Sequence, residues 1–271
     1  MTRNVKMSKY LILIFVFSFL FAGTSFAELN LDCLSQSDVN KVETIINTLK
    51  PLIKERDEKH TLASLTFKEL YSPLNKSQKK FLKQFETLDA NLLSVKIPFL
   101  GMAKGNEDFV IITGQQIKIK GERAVIPPQF VPKDVNESYT KMMDAMQKDI
   151  GKRLYIESAY RSSAYQLYIL IDSLKNHKYS IRETVKYVAL PGFSEHGCPR
   201  VQALDFISEE GINGDGCPEQ FEALAENDWL LKNAHKFNFV LSYPKDAKAG
   251  ITYEPWHWRF TGNDSAQTSQ N

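Results

Sequence analysis

The amino-acid sequence predicts an α+β protein, in which a small antiparallel sheet is flanked by helices and follows a mainly helical N-terminal region. Three observations lead to this fold class. Apolar residues recur at helical spacing from Ser37 to about Leu93, and runs typical of strands begin at Phe109. Beyond these runs, helices and strands do not alternate strictly, which argues against a doubly wound parallel sheet.

The first 27 residues have the features of a secretory signal. Three basic residues form a positive start, and residues 11–22 are an apolar run that only one serine interrupts. This run is shorter than the roughly 20 residues that a membrane-spanning helix needs. Small residues follow at positions 25 and 27, so we expect cleavage before Glu28, no remaining membrane span, and an exported protein, periplasmic or secreted. An uncleaved membrane anchor is the alternative.

The composition excludes several classes of protein. A chain of 271 residues with 43% hydrophobic and 24% charged residues is neither collagen-like nor fully disordered. Without the first 27 residues, 31 basic residues face 32 acidic ones. This near-neutral balance gives no reason to expect a nucleic-acid partner.

The predicted elements follow one another in a simple order. The first helix is predicted from apolar residues three and four positions apart: Val39, Val42, Ile45, Ile46 and Leu49. Pro51 starts a further turn or kinks this helix. We expect a β-hairpin from residues 109–112 and 117–120, then an extended connection over residues 126–134. Further helices are predicted at residues 139–150, 164–174 and 181–188, with a strand at 153–158.

Two of the three cysteines, Cys198 and Cys217, lie in one region that contains glycine and proline. In an oxidising compartment such a pair persists as a disulfide. We therefore expect these two residues to bond, which stabilises a loop of this size by roughly 3 kcal/mol. Cys33 is then the unpaired thiol, although a link from Cys33 to either of the other two stays open.

Residues typical of metal-dependent hydrolysis occur in three short segments. These segments are Ser158–Ser163 with Gln166, Pro191–His196 with Ala203–Phe206, and Tyr253–Arg259. They supply His196, Asp205 and His257, and two imidazoles with one carboxylate are a ligand set that holds catalytic zinc and leaves a position open.

Two further side chains complete this pattern. Glu254 stands three residues before His257, where a carboxylate can take a proton from metal-bound water. Arg161 follows a predicted strand and offers planar donors to a carboxylate or an oxyanion. Each residue alone is more often a core or surface residue, and only the combination of the segments points to a catalytic site.

In this order and context the three segments resemble the VanY-type D-alanyl-D-alanine carboxypeptidases, which are zinc peptidases that trim bacterial cell-wall peptides. The resemblance covers roughly residues 124–261. It implies a peptidase domain over residues 121–263. The resemblance does not explain residues 28–120, which we expect to form an accessory region with helices and a hairpin, and we expect a flexible tail over residues 264–271.

The resemblance also implies roles for individual residues. Zinc would be held by His196, Asp205 and His257, with Glu254 as catalytic base for a metal-bound water. Arg161 would bind the substrate or stabilise the transition state. The side chains implied to line the substrate site are Tyr160, Gln166 and Ser194.

One feature departs from the family pattern. Asp205 stands nine residues after His196, whereas the family has seven, so two residues are inserted within Gly197–Arg200. Val201 occupies the position of a family glycine. We expect a longer loop that still delivers Asp205 to the metal, and an altered or lost metal site is the alternative.

The resulting expectation is an exported zinc-dependent D-alanyl-D-alanine carboxypeptidase that acts on peptidoglycan stem peptides. An L,D-carboxypeptidase, dipeptidase or endopeptidase on the same polymer is a close alternative, because the shape of the pocket decides which bond is cut. A non-catalytic wall-binding protein on this fold is a third possibility. The S-x-x-K match at residues 77–80 suggests a serine peptidase, but no K-T-G segment accompanies it.

Overall fold

The computed structural model describes residues 29–246 and 252–262. The predicted signal over residues 1–27 and the predicted tail over residues 264–271 lie outside the described residues. Among the residues described, no helix combines the length and the apolar character that a bilayer crossing needs.

The described part of the chain mixes helices with short antiparallel sheets, which confirms the predicted α+β class. The α-helices are α1 (Gln36–Glu58), α2 (Phe67–Tyr71), α3 (Lys76–Glu86), α4 (Lys133–Ile150), α5 (Ser163–Ser173), α6 (Ile181–Thr184), α7 (Pro218–Glu222) and α8 (Ala225–Asn233). The strands are β1 (Phe109–Ile112), β2 (Gln116–Ile119), β3 (Glu122–Val125), β4 (Gln129–Pro132), β5 (Leu154–Ser158), β6 (Ala203–Ser208), β7 (Phe239–Leu241) and β8 (His257–Phe260).

The main sheet has four antiparallel strands in the order β5-β6-β8-β7. Its register places Asp205 on β6 directly opposite His257 on β8. Buried side chains of the sheet and of helices α4 and α8 form one core, which includes Met142, Met143, Met146, Phe206, Leu230 and Phe260. This core therefore packs against the sheet that carries Asp205 and His257.

The predicted hairpin between residues 109–112 and 117–120 is wrong. Strand β1 pairs with β4, and β2 pairs with β3. The tight turn lies at Lys120 and Gly121, whose φ angles of 53° and 85° suit a two-residue hairpin loop. The segment between β1 and β2 contacts strand β5 instead. The side-chain amide of Gln115 donates to the carbonyl of Ile156 and accepts from its N–H, both at 2.9 Å.

Helices α1 to α3 pack against α5. Their shared core includes the buried side chains Ile45, Leu49, Leu70, Leu82, Phe85, Leu167, Leu170 and Leu174. Helix α1 continues through Pro51, and capping boxes at Thr66 and Asn75 begin α2 and α3. The N-terminal helices thus contact the helix that directly follows Arg161, while the predicted boundary at residue 120 stays a prediction.

The predicted disulfide between Cys198 and Cys217 is wrong, because all three described cysteines are free thiols. Cys198 is buried, and its Sγ donates to the carbonyl of Leu100 at 3.2 Å. The Sγ of Cys217 lies 3.5 Å from a carboxylate oxygen of Glu219, at the start of α7. Each thiol therefore has its own partner, on a different part of the fold.

Candidate metal centre

Two neighbouring strands and one short turn bring three possible metal ligands together. Asp205 and His257 are cross-strand partners on β6 and β8, and His196 lies in a 3-10 turn over Glu195–Gly197 that precedes β6. One donor atom from each of the three side chains lies within 4.8 Å of the other two. Although the loop between His196 and Asp205 is two residues longer than in the family, the two side chains therefore lie next to each other.

The Asp205 carboxylate bridges the two imidazoles. Its Oδ2 lies 3.1 Å from Nε2 of His196, and its Oδ1 lies 2.8 Å from Nδ1 of His257. The imidazole planes are nearly perpendicular, at 82°, with ring centroids 5.0 Å apart. The three donors thus lie close enough together to hold one ion while a further position stays open.

The remaining ring nitrogen of each histidine bonds outward. Nδ1 of His196 lies 2.8 Å from the carbonyl of Ala159, and Nε2 of His257 lies 2.9 Å from Oε2 of Glu195. Such outer bonds fix the tautomer and direct the other nitrogen's lone pair toward a metal. The donor set of two imidazole nitrogens and one carboxylate oxygen fits a divalent transition metal.

In the metal-free protein, burial and the neighbouring charged groups set the protonation of the three candidate ligands. Although burial opposes its ionisation, the two histidines hold the pKa of Asp205 well below its usual range. Burial lowers the pKa of His196, against the attraction of Asp205. Burial also opposes protonation of His257, but the carboxylates of Asp205 and Glu195 raise its pKa to about 10. His257 therefore carries a proton at neutral pH that a metal must displace.

Glu254 stands at the edge of this cluster. Its Oε2 lies 3.7 Å from Nδ1 of His257, and its backbone N–H donates to the carbonyl of Tyr243 at 3.1 Å. Burial raises the pKa of Glu254 to about 7, and the negative charge of Asp205 adds to this effect. A carboxyl group with this pKa can both accept and return a proton near neutral pH.

Arg161 approaches the same cluster from the end of β5. Burial lowers the pKa of its guanidinium, and the negative charges of Asp205 and Glu254 act in the opposite direction. Within the described part of the chain, its buried Nε has no hydrogen-bond partner. A buried cationic donor without a partner is suited to an oxygen atom supplied by a ligand.

Comparison with known proteins identifies the family of this region. Residues 129–263 match the family model described as VanY: D-alanyl-D-alanine carboxypeptidase. These residues belong to the VanY family. The VanY region begins at β4 and contains all of the candidate ligands, together with Glu254 and Arg161.

Relatives of the VanY region are found in several bacteria. The protein YodJ of Bacillus subtilis is 35% identical over 151 residues, which are 54% of this chain and 52% of YodJ. VanXYC of Enterococcus gallinarum, a bifunctional D-Ala-D-Ala dipeptidase and D-Ala-D-Ala carboxypeptidase, is 29% identical over 142 residues, or 51% of this chain and 70% of VanXYC. The solved structure of the LD-carboxypeptidase LdcB is 27% identical, with a TM-score of 0.46, and the match covers 61% of this chain and 74% of LdcB. The match thus spans about half the length of YodJ.

Three other predicted site residues make structural contacts, and their predicted role in lining the substrate site stays a prediction. Nε2 of Gln166 donates to the carbonyl of Ala189 at 2.7 Å, and so holds the loop before His196. The ring of Tyr160 packs on Phe109, with centroids 4.5 Å apart. The carbonyl of Ser194 accepts from the N–H of Gly197 at 3.0 Å and closes the turn that carries His196.

Sequence reasoning missed Glu195 and Tyr243. Glu195 is buried and holds His257, while its own carboxylate accepts from the Ser242 hydroxyl at 2.6 Å and lies 3.4 Å from Nε of Arg259. The ring of Tyr243 lies 4.7 Å from that of His257. Only its position next to His196 could have drawn attention to Glu195, because its partners are 47 and 62 residues away along the chain.

Proposed function

We propose that this protein is an exported zinc-dependent D-alanyl-D-alanine carboxypeptidase that trims peptidoglycan stem peptides. One observation carries the proposal, namely the convergence of His196, Asp205 and His257 beside Glu254 and Arg161 within the VanY region. Metal donors, a proton acceptor and an oxyanion partner are the groups that peptide hydrolysis by a metalloenzyme requires.

Zinc is the metal that we propose for the three ligands. Imidazole nitrogen suits zinc better than it suits magnesium or calcium, which prefer sites made of oxygen atoms. When bound, zinc supplies a Lewis acid that acidifies a water molecule and polarises the scissile carbonyl. The outward bonds of the two histidines already hold the nitrogen atoms in the orientation that ligation requires.

The chain's own side chains then move protons and charge. Glu254 accepts a proton from the attacking water and returns it to the amine of the departing D-alanine, a double role that its pKa of about 7 favours. Arg161 donates to the developing oxyanion or to the carboxylate of the terminal D-alanine, because its buried Nε has no other partner among the described residues. The predicted secretory signal would bring the enzyme to the wall polymer.

The proposal is tested by digesting purified muropeptides with the zinc-loaded mature protein and analysing the products by mass spectrometry. The expected result is loss of a single D-alanine from pentapeptides, sensitivity to chelators and resistance to β-lactams. Loss of D-alanine from tetrapeptides alone would instead assign an L,D-carboxypeptidase, hydrolysis of free D-alanyl-D-alanine a dipeptidase, and cleavage within the peptide an endopeptidase. Intact peptides after digestion with the zinc-loaded protein would contradict the proposal.

The affinity for zinc is expected to rise with pH. Because His257 of the metal-free protein is protonated below about pH 10, ligation must release its proton, so raising the pH removes a competitor of the metal. The apparent dissociation constant should fall about tenfold per pH unit between about pH 6 and 8. Competition with a chromophoric chelator measures this slope, and calorimetry in several buffers counts the released proton. An affinity that does not change over this range would contradict the assigned charge of His257.

Replacement of Glu195 by glutamine is expected to weaken zinc binding roughly 10- to 100-fold without abolishing it. The variant Glu195→Gln keeps the shape of the side chain but loses the negative charge that orients His257. Zinc titration measures the effect, and Glu210→Gln, at an exposed position, is the matched control. Equal affinities of the two variants would show that the bond from Glu195 to His257 does not contribute.

A further inference from the structure

We infer that the N-terminal region, residues 29–120, positions the catalytic arginine Arg161. The N-terminal region acts on Arg161 through the neighbouring residue, Ser162. This inference rests on the proposed function, in which Arg161 meets the substrate. The partners of Ser162 are Ala63 and Leu65, which lie outside the VanY region. The N-terminal region would then be a working part of the site and more than an appended module.

Three consecutive backbone N–H groups connect the arginine segment to three different parts of the fold. The N–H of Tyr160 donates to Phe130, and that of Arg161 donates to the carbonyl of His196, both at 3.0 Å. The N–H of Ser162 donates to the carbonyl of Ala63 at 2.8 Å. Arg161 therefore lies between the turn that carries a metal ligand on one side and the N-terminal region on the other.

The side chain of Ser162 adds a second bond to the same region. Its buried hydroxyl donates to the carbonyl of Leu65 at 2.6 Å, across 97 residues of chain. The same oxygen accepts from the N–H of Tyr165 and caps helix α5. Both the backbone N–H and the hydroxyl of Ser162 thus donate to carbonyl groups of the N-terminal region.

The receiving turn, residues 61–65, is itself fixed. Nη1 of Arg56 donates to the hydroxyl of Thr61 at 3.0 Å, and Nη2 of Arg56 pairs with Glu69 at 2.6 Å. Glu69 closes the capping box with Thr66, directly after the turn. Since the arginine, the cap and the helix ends hold this turn in place, it can act as a rigid support for Ser162.

A second contact holds the loop that leads to His196. The N–H groups of Leu100 and Gly101 both donate to the carbonyl of Gly192, at 2.9 and 3.2 Å. The ring of Phe99 covers Gly192 so closely that a Cβ there would lie 2.3 Å from it. The N-terminal region therefore contacts both the arginine segment and the loop before His196.

This support matters because the buried Nε of Arg161 makes no hydrogen bond among the described residues and so does not itself hold the side chain in place. Misplacement of a reacting group by about 1 Å can cost roughly 100-fold in rate. A loosened bond at Ser162 should therefore reduce turnover more than substrate binding.

The test compares Ser162→Ala with Ser180→Ala in the zinc-loaded mature protein. Ser180 is equally buried, at 7%, and also caps a helix in the same core, so the control loses a cap without touching the arginine segment. For Ser162→Ala we expect kcat to fall about tenfold or more, with KM changed less than about threefold, whereas Ser180→Ala should stay within about twofold of the wild type. Ser162→Thr keeps the hydroxyl and should restore most of the turnover.

A second readout does not depend on catalysis. The Nε–H resonance of Arg161, followed by NMR, should broaden or exchange faster in Ser162→Ala and stay unchanged in Ser180→Ala. If Ser162→Ala does not fold, Ser162→Gly replaces it, because glycine at a helix cap costs only a few tenths of a kcal/mol relative to serine. An unchanged kcat together with an unchanged resonance would overturn the inference, as would equal losses in both alanine variants. If the wild type hydrolyses no wall peptide, the proposed function fails while the resonance still decides the positioning role.

Discussion

Replacement of Asp205 by alanine is expected to abolish stoichiometric zinc binding and hydrolysis of wall peptides together. The carboxylate of Asp205 lies 3.1 Å from the imidazole of His196 and 2.8 Å from that of His257. Its removal leaves only the two histidines as ligands and takes away the negative charge between them. Zinc in proteins is held by at least three protein ligands in almost all catalytic sites. The zinc content after dialysis, measured by atomic spectroscopy, should fall from about one to nearly zero per chain.

Asp215→Ala is the matched control for this variant. Asp215 is an exposed aspartate in the loop after β6 and is not among the three converging side chains. This control should keep both zinc and activity. Stoichiometric zinc in Asp205→Ala would show that Asp205 is not a ligand, and the enzyme assignment would lose its geometric basis.

Replacement of Glu254 by glutamine is expected to separate chemistry from metal binding. The amide cannot take the proton from water, so kcat should fall roughly 100- to 10,000-fold while zinc stays at its full stoichiometry. Because burial raises the pKa of Glu254, the wild-type rate should also decline at acidic pH, where the base becomes protonated. The rate of D-alanine release across pH measures both effects.

Glu222→Gln provides the comparison for Glu254→Gln. Glu222 forms an ion pair with Lys245 at 2.6 Å and is not among the three converging side chains. This variant should retain the wild-type rate and pH profile. A Glu254→Gln variant that still hydrolyses wall peptides at the wild-type rate would assign the proton transfer to another group.

Several elements follow from local sequence alone. The spacing of Val42, Ile45 and Leu49 predicts a helix, and the three residues are buried on one face of α1. The strand before Tyr160 and the helix after Arg161 also lie where periodicity predicts them. These predictions succeed because helical and strand periods are set by residues only a few positions apart.

The donor types of the site could also be predicted. Imidazole and carboxylate side chains appear in three recognisable segments, and the structure brings His196, Asp205 and His257 within 4.8 Å. Nothing in the local sequence states that β6 pairs with β8, which is the pairing that makes Asp205 and His257 neighbours across 52 residues of chain. Here the motif supplied the chemistry, and strand register supplied the geometry.

Pairings between distant segments were decided only by tertiary structure. The segment Thr113–Gln116 suggests a hairpin turn, yet the amide of Gln115 bonds to Ile156 instead, and β1 pairs with β4. Spacing and compartment suggest that Cys198 and Cys217 bond, but each thiol has a separate neighbour. The entropy cost of closing a loop changes only slowly with its length, so it does not distinguish between near and distant partners. The packing of the whole chain selects the partner.

By itself, the sequence determined the kinds of helix and strand and the side chains able to hold a metal and move a proton. Only the tertiary structure showed that Glu195 holds His257 and that a turn near Ala63 supports Ser162. The physical reason is one of range. Periodicity and capping act over a few residues, whereas these hydrogen bonds join groups that are 62 and 97 residues apart and meet only when the core closes.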